Sequence, residues 1–598
     1  MMLAFFIIWL VASVIIANRL LAKLFVFDKN IIMVLAVFLP IVILGPVLNI
    51  FSAWFKLNDL AIYLSLAISL AGLFLADKYC SKDNPDNDYP LEENDSGKLF
   101  VFNDWLYLIF AALAVIGIYF VTHAAGLNNI LSPWDILSGW QAIIAMLLAG
   151  MIIFGIYSRK ISVLATLFLI VIFSFLIHSY LFVYKNGFGG DRFRHLASEE
   201  RILQGLEYQP TLLAEKMWLN KLGPISYPQA LTDSAKLSYG TMWSLEVLAA
   251  KISGWPVFQI NRFLLPILWP IFLTVIIFAI AYLLRPDNRF ALLAALLANS
   301  FYLLQYYGAQ GLPASYGLLW LAFYLLFLIN YLIKPDRLKA RLIFAGLILM
   351  YFNYSLAFLL AGCGFAISLL LAKQKFWAYL ATILAVISLI ALDFQSSPQI
   401  GFLYAKLWPS WIYANIVDFQ ALSRLVPMIG EWHLLELALM AGLFAILIIG
   451  FIKVWRKQDL PWLLVLLMAK ITLAAYFISY LFLNGEHSLS RRIMLFAVMF
   501  LLFFLADFAC DRIRSRNSFI VVASLIIFLT GLTYYSGPAL NVNVTDRDLS
   551  KAEAIWKDIK GNKDYCVKDD LGVILALEYV SAKEFQETVN NQNCKLRF

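Results

Sequence analysis

The chain has 598 residues, 62% of them hydrophobic and 14% charged, with a mean hydropathy of +0.80. Soluble domains run at about 45–50% apolar and about 25% charged, so a water-soluble globular protein is excluded and an integral membrane protein is expected. The net charge of +8 does not mark nucleic acid as a partner, because the lysines and arginines fall in short clusters between apolar runs, a topological distribution rather than a binding stripe.

The first apolar run, 3–17, has no basic stretch before it, and its nearest positive charges, Arg19 and Lys23, follow it. It reads as a retained span with an outside N-terminus rather than a cleaved signal. A helix needs about 20 apolar residues to cross a hydrocarbon core of about 30 Å. On that measure spans follow at 31–51, 60–75, 99–121, 140–157 and 161–183, then, after a long polar loop, at 263–284, 290–307 and 316–333. A pair of short helices is expected about Asn353-Tyr354-Ser355, followed by spans at 376–392, 434–454, 461–483, 493–509 and 519–535.

Alternate connections test this order, since Lys and Arg in short loops stay cytoplasmic. One set holds 22 of them, from Arg19 to Arg516, and the other short loops hold 3: Lys56, Arg491 and Arg492. The alternation survives only if 342–371 crosses twice, breaking near Asn353. The polar regions 184–240, 393–433 and 541–598, and both termini, then face outside.

The expected fold is an all-α polytopic membrane protein of about 15–16 transmembrane segments with a small C-terminal α/β extracytoplasmic appendage. Residues 1–76 form accessory N-terminal transmembrane helices, 77–98 an acidic, turn-rich cytoplasmic linker, 99–540 the transmembrane core and 541–598 the appendage. In that last segment 548–560 and 571–580 have helical spacing and 565–567 reads as a short strand. Cys566 and Cys594 are the one pair of cysteines in a shared polar segment, where a disulfide and two free thiols are both open. No cysteine spacing suits zinc.

Chemistry concentrates in Gly189-Gly190-Asp191-Arg192-Phe193-Arg194-His195 and on to Glu199, Glu200 and Arg201. If this stretch is helical, Asp191, His195 and Glu199 recur at every fourth position and share a face, with Arg194 and Arg201 on a neighbouring stripe. A carboxylate there can deprotonate a hydroxyl or bind a divalent cation, a histidine can orient it, and arginines give bidentate contacts to phosphate. A charged helix lying among lipid headgroups would carry the same residue types. Arg491 and Arg492, in Gly485-Glu486-His487-Ser488-Leu489-Ser490-Arg491-Arg492, break the charge rule and read either as a clamp for a phosphorylated ligand, the favoured reading, or as an unspecific contact to a lipid headgroup. Trp408, Trp411 and Tyr413 suit sugar stacking and equally a membrane interface. His123, His178 and His433 are isolated and read as packed histidines.

On these residues the chain resembles the C-type (GT-C) superfamily of polytopic membrane glycosyltransferases, which use polyprenyl-phosphate-linked sugars. The segment from Gly189 to His195 looks like the superfamily's acidic outer-loop motif, Phe352-Asn353-Tyr354-Ser355 like its short-helix turn, and Ser490-Arg491-Arg492 like its basic entry to a late span; the resemblance covers 161–535. It implies a sugar moved from a polyprenyl-phosphate donor to a glycan or lipid acceptor on the outer side of the cell membrane. Asp191, with His195, would be catalytic, and Arg194, Arg201, Arg491, Arg492 and His487 would bind substrate phosphate. A divalent cation, if the site takes one, would fall to Asp191 and Glu199. A polysaccharide polymerase or ligase, and a transporter or flippase of lipid-linked sugars, remain the competing readings. A scaffold that has lost its chemistry is a further one.

Overall fold

The computed structural model describes residues 2–80, 104–124, 136–137, 139–158, 162–206, 219–222, 224–228, 234–396, 445, 448–454, 459–482, 489–512, 516–535, 544–559 and 569–582. Helices α1 (Met2–Leu24), α2 (Lys29–Trp54), α3 (Asp59–Tyr79), α4 (Asp104–Ala124), α5 (Trp140–Ser158) and α6 (Val163–His178) come first. The last runs into a 3-10 turn, Ser179–Val183. The polar region then holds α7 (Asp191–Leu203), a small antiparallel hairpin of β1 (Leu219–Leu222) and β2 (Ile225–Pro228), and α8 (Ser234–Ser253). After it come α9 (Val257–Leu284), α10 (Asn288–Ser300), α11 (Tyr302–Gly308), α12 (Pro313–Ile333), α13 (Arg337–Tyr351), α14 (Ser355–Leu371) and α15 (Lys375–Ser396). The chain closes with α16 (Leu460–Phe482), α17 (Leu489–Arg512), α18 (Arg516–Tyr535), α19 (Asp546–Ile559) and α20 (Leu571–Ser581).

The protein is an all-helical, multi-pass membrane protein. Among the described residues nine helices are long and apolar enough to cross a bilayer, and α14, α15, α16 and α18 contain shorter apolar stretches. Lipid offers backbone groups no partner, so each spanning segment satisfies its own hydrogen bonds as a helix. Where one helix starts, the sequence supplies the acceptor: Asp287 caps α10 and Asp336 caps α13 through side-chain bonds to the first free N–H groups.

Helix α2 packs inside the bundle rather than beside it. Asn49 donates to Leu237 O at 3.1 Å and Phe352 O at 2.7 Å, and Trp320 Nε1 donates to Val42 O at 3.2 Å. The break near Asn353 is present between α13 and α14, as the charge alternation requires. One expected span is corrected: 290–307 is not continuous. Phe301 is extended and separates α10 from α11. The polar residues around it account for this, because Gln305 Nε2 donates to Ile177 O at 2.7 Å, and Asn299 meets Ser174 Oγ at 2.5 Å and Thr274 Oγ1 at 3.1 Å. Buried partners of this kind make a broken helix tolerable at membrane depth.

Two residues of the larger positive set, Arg285 and Lys453, meet at one end of the bundle. Arg285 reaches Asp507 at 2.7 Å, Asp511 at 2.9 Å and Asp287 at 3.1 Å, and Lys453 reaches Asp507 and Asp511, both at 2.5 Å. Asn261, near the opposite end of α9, is about 36 Å from Arg285 at the rise of about 1.5 Å per residue. The expected strand 565–567, Cys566 and Cys594, the linker from 81 on, Trp408, Trp411, Tyr413 and His433 lie outside the described residues. The two tail helices that are described, α19 and α20, pack on each other, and α20 packs on α7.

Candidate active site

Two glycines at positive φ, Gly187 at 76° and Gly189 at 89°, turn the chain from α6 into α7, whereas Gly190 has ordinary helical φ. A Cβ on Gly187 would fall 1.4 Å from Arg192 Nη1, so the glycine also makes room for a guanidinium folded back on the turn. Arg192 donates to Asn186 O at 2.8 Å, Phe258 O at 2.6 Å and Asn261 Oδ1 at 2.5 Å, and lies 4.7 Å over the Phe258 ring. Phe193 is fully buried among Phe258 and Tyr579. These two residues anchor α7 by its first turn.

The expected face does not hold. Every fourth residue of an α-helix drifts by about 40°, so Asp191 and Glu199 diverge by about 80°. The Asp191 side chain is 81% exposed, His195 is half-buried and Glu199 is wholly buried. Asp191 meets Arg194 Nη1 at 3.7 Å, whereas Glu199 faces inward to Asn261 and Glu246. The two carboxylates that a divalent cation would have used point to different places, and among the described residues no group of three acids, histidines or cysteines suits a metal. The residues do not fit a cation, and no chemical step here is routed through one.

His195 is walled by Tyr239 and Trp243 of α8, whose ring centroids are 5.4 and 6.1 Å away. Trp243 Nε1 donates to His195 Nδ1 at 3.2 Å. Since an indole N–H only donates, Nδ1 is the acceptor and the ring proton resides on Nε2. Burial, with Arg194 and Arg492 opposing Asp191, lowers the imidazole to about 4. His195 is therefore a neutral N–H donor at physiological pH rather than a base.

Arg492, at the start of α17, comes to this wall. Its guanidinium lies close enough to Tyr354, Tyr239 and His195 to act electrostatically on all three. Tyr354 is held by the α13–α14 turn, which α8 pins: Thr241 donates to Phe352 O, and Ser355 N donates to Ser238 Oγ at 3.0 Å. Tyr239 thus packs on His195 and lies near Arg492. Arg491 begins the same helix, but its side chain lies outside the described part, as does His487. Arg201 is two turns from Arg194, about 10 Å along α7.

The last wall comes from the tail. Glu578 of α20 is 5% exposed and its Oε2 lies 3.5 Å from Arg194 Nε, so Arg194 is flanked by Asp191 and Glu578. Burial pushes Glu578 up to about 7, against Arg194. Asn186 donates to Val544 O at 3.1 Å and Asp546 Oδ1 at 3.0 Å, and Lys185 meets Asp546 at 2.5 Å, which seats the tail on the turn before α7. Sequence reasoning named neither Glu578 nor Tyr239 nor Trp243. The signal for the α8 residues was present: Tyr239, Trp243 and Glu246 recur at helical spacing on an otherwise largely apolar helix.

The arrangement presents an exposed carboxylate, a neutral imidazole N–H and an exposed guanidinium around one aromatic wall. No family model matches the sequence, and no curated protein matches it. Among solved structures the chain is similar to the archaeal oligosaccharyltransferase AglB from Archaeoglobus fulgidus in complex with an inhibitory peptide and a dolichol-phosphate. Identity is 12% and the TM-score 0.41, over 70% of this chain and 64% of that one. The chain therefore spans less than two thirds of the matched protein.

Proposed function

We propose that the protein is a membrane glycosyltransferase that moves a sugar from a polyprenyl-phosphate donor to a glycan or lipid acceptor at the outer membrane boundary. One observation carries the reading: Tyr239 packs on His195 of α7 and lies near Arg492 of α17, so the helix that bears Asp191 and the basic entry to the late span meet at one wall while far apart in sequence.

In this reading Asp191 takes the proton of the acceptor hydroxyl as its oxygen attacks the anomeric carbon. The bond from that carbon to the donor phosphate breaks, and its electron pair leaves on the phosphate. Arg492, near Tyr239 and Tyr354, offsets the negative charge growing there, and Arg194 adds to it. His195 donates its Nε2 proton as a hydrogen bond to a sugar or phosphate oxygen. Arg491 serves beside Arg492. Exposure supports these assignments: Asp191, Arg194 and Arg492 are the charged side chains of this region that protein partners leave open to a ligand.

A transporter of lipid-linked sugars is the second reading, favoured by the buried acids Glu199 and Glu246, which a proton-coupled carrier would also bury. One experiment separates the two. Purified full-length protein, Asp191→Ala and Arg492→Ala are assayed for transfer from radiolabelled hexosyl and pentosyl polyprenyl phosphates, and in vesicles for movement of the same lipids. Transfer by the wild type with loss in both variants is the expected result. Full transfer in both variants, or lipid movement without transfer, overturns the assignment.

A further inference from the structure

Beneath α7 two carboxyl side chains, Glu199 and Glu246, are both 0% exposed. Their surroundings assign their charges. Asn261 Oδ1 accepts from Arg192 Nε at 2.5 Å, which fixes the amide so that Nδ2 faces the acids, donating to Glu246 Oε2 at 2.7 Å and to Glu199 Oε1 at 3.3 Å. Tyr316 OH donates to Glu246 Oε1 at 3.0 Å. Glu246 thus has a close donor on each oxygen. Glu199 has one long contact, and its Oε2 meets no donor among the described residues. Arg192 directs its described bonds to Asn261 and to two carbonyls, and none to either acid.

Arg192 is the buried cation beside them, and the neighbouring Arg262 is only half-buried and directed to the carbonyls of Lys185 and Phe182, so two anions here would leave a net charge in a region that water does not reach, which the interior does not sustain. From this geometry we infer that the two acids share one proton, carried on Glu199 Oε2 and donated to Glu246, and that this neutral-acid and carboxylate pair is a positioning device. It ties α7 to α8 directly and, through Asn261 and Arg192, to α9. Burial and the adjacent Glu246 push Glu199 well above the usual carboxylate range, in the same direction. Because His195 precedes Glu199 by one turn and Trp243 precedes Glu246 by about one, the pair sets the distance across which Trp243 donates to His195. The inference does not rest on sugar transfer, since every readout below is independent of it.

The test uses the full-length protein in nanodiscs at neutral pH, in a Glu578→Gln background so that the tail acid adds no signal. Infrared spectroscopy reads the carbonyl stretch of a protonated carboxyl and its shift in D2O. Peptide-resolved carbethoxylation reads the exposure of His195. The expected result is a protonated-carboxyl band that disappears in Glu199→Gln, with that variant unfolding at the wild-type midpoint and modifying His195 at the wild-type rate, because glutamine replaces a neutral acid. Glu246→Gln removes the carboxylate that Asn261 and Tyr316 both hold and leaves Glu199 to ionise with one long donor, and His195 should then be modified several-fold faster. A missing band in the parent, a band that persists in Glu199→Gln, or a Glu199→Gln variant as destabilised as Glu246→Gln overturns the proposal. Should Glu246→Gln fail to fold, the band and the Glu199→Gln midpoint still decide it.

Discussion

The two ends of α9 handle buried charge in opposite ways. At the end past Leu284, three aspartates and two bases pair directly, and the groups keep 10–37% of their side-chain surface. At the end near Asn261, two acids are wholly buried with one arginine, and no acid touches it; an amide stands between them. Where water still reaches, counterions suffice and every group can stay ionised. Where it does not, charge is removed by protonation and the rest is distributed over hydrogen bonds. Outside this buried network, Asp191 and Arg194 are the exposed charges of α7.

The largest expected effect breaks the buried end. Arg192→Met should lower unfolding stability by about 3–5 kcal/mol, since it strands the Glu246 carboxylate in the interior. Arg285→Met leaves Lys453 on both aspartates and should lower it by about 1 kcal/mol. Denaturant unfolding in detergent measures both, and equal losses would erase the distinction between the ends. Activity should divide the same way: Arg492→Ala reduces transfer about a hundredfold, as loss of one contact to developing negative charge does. Arg285→Ala, at the far end, should leave turnover within about twofold of wild type.

Smaller effects come from pH and salt. Glu578, raised to about 7, binds its proton more tightly folded than unfolded, so its contribution is complete at pH below the ordinary carboxylate range and is lost as pH rises through about 7. His195, lowered to about 4, has the opposite sign: its contribution is complete above the ordinary histidine range and is lost as pH falls through about 4. Unfolding midpoints against pH should lose the first slope in Glu578→Gln and the second in His195→Gln. The least change is expected from ionic strength. Raising salt from about 0.1 to about 1 M shortens the screening length from about 10 to about 3 Å. It should shrink the penalty of Lys453→Met and leave that of Arg192→Met unaltered.

Most spans were readable because a run of about 20 apolar residues has few alternatives to crossing lipid. The break at Phe301 was not, since the partners of Asn299 and Gln305 come from α6 and α9 and are invisible to a local pattern. For the site, residue types singled out α7 and the start of α17, which the structure has as helices. The spacing rule failed at Glu199 because drift accumulates over two turns and burial decides which side of the stripe is inside. Glu578 had no signal at all, because an acid in an apolar tail helix gains meaning only when that helix is laid against Arg194.

The docking of the tail on the turn before α7 has a temporal consequence. Asn186 and its partner Val544 are 358 positions apart. A ribosome adding about 5–20 residues per second needs roughly 20 to 70 s to travel between them. Throughout that interval the turn before α7 lacks the tail that later seats on it, so this wall is completed only as a late event of biogenesis.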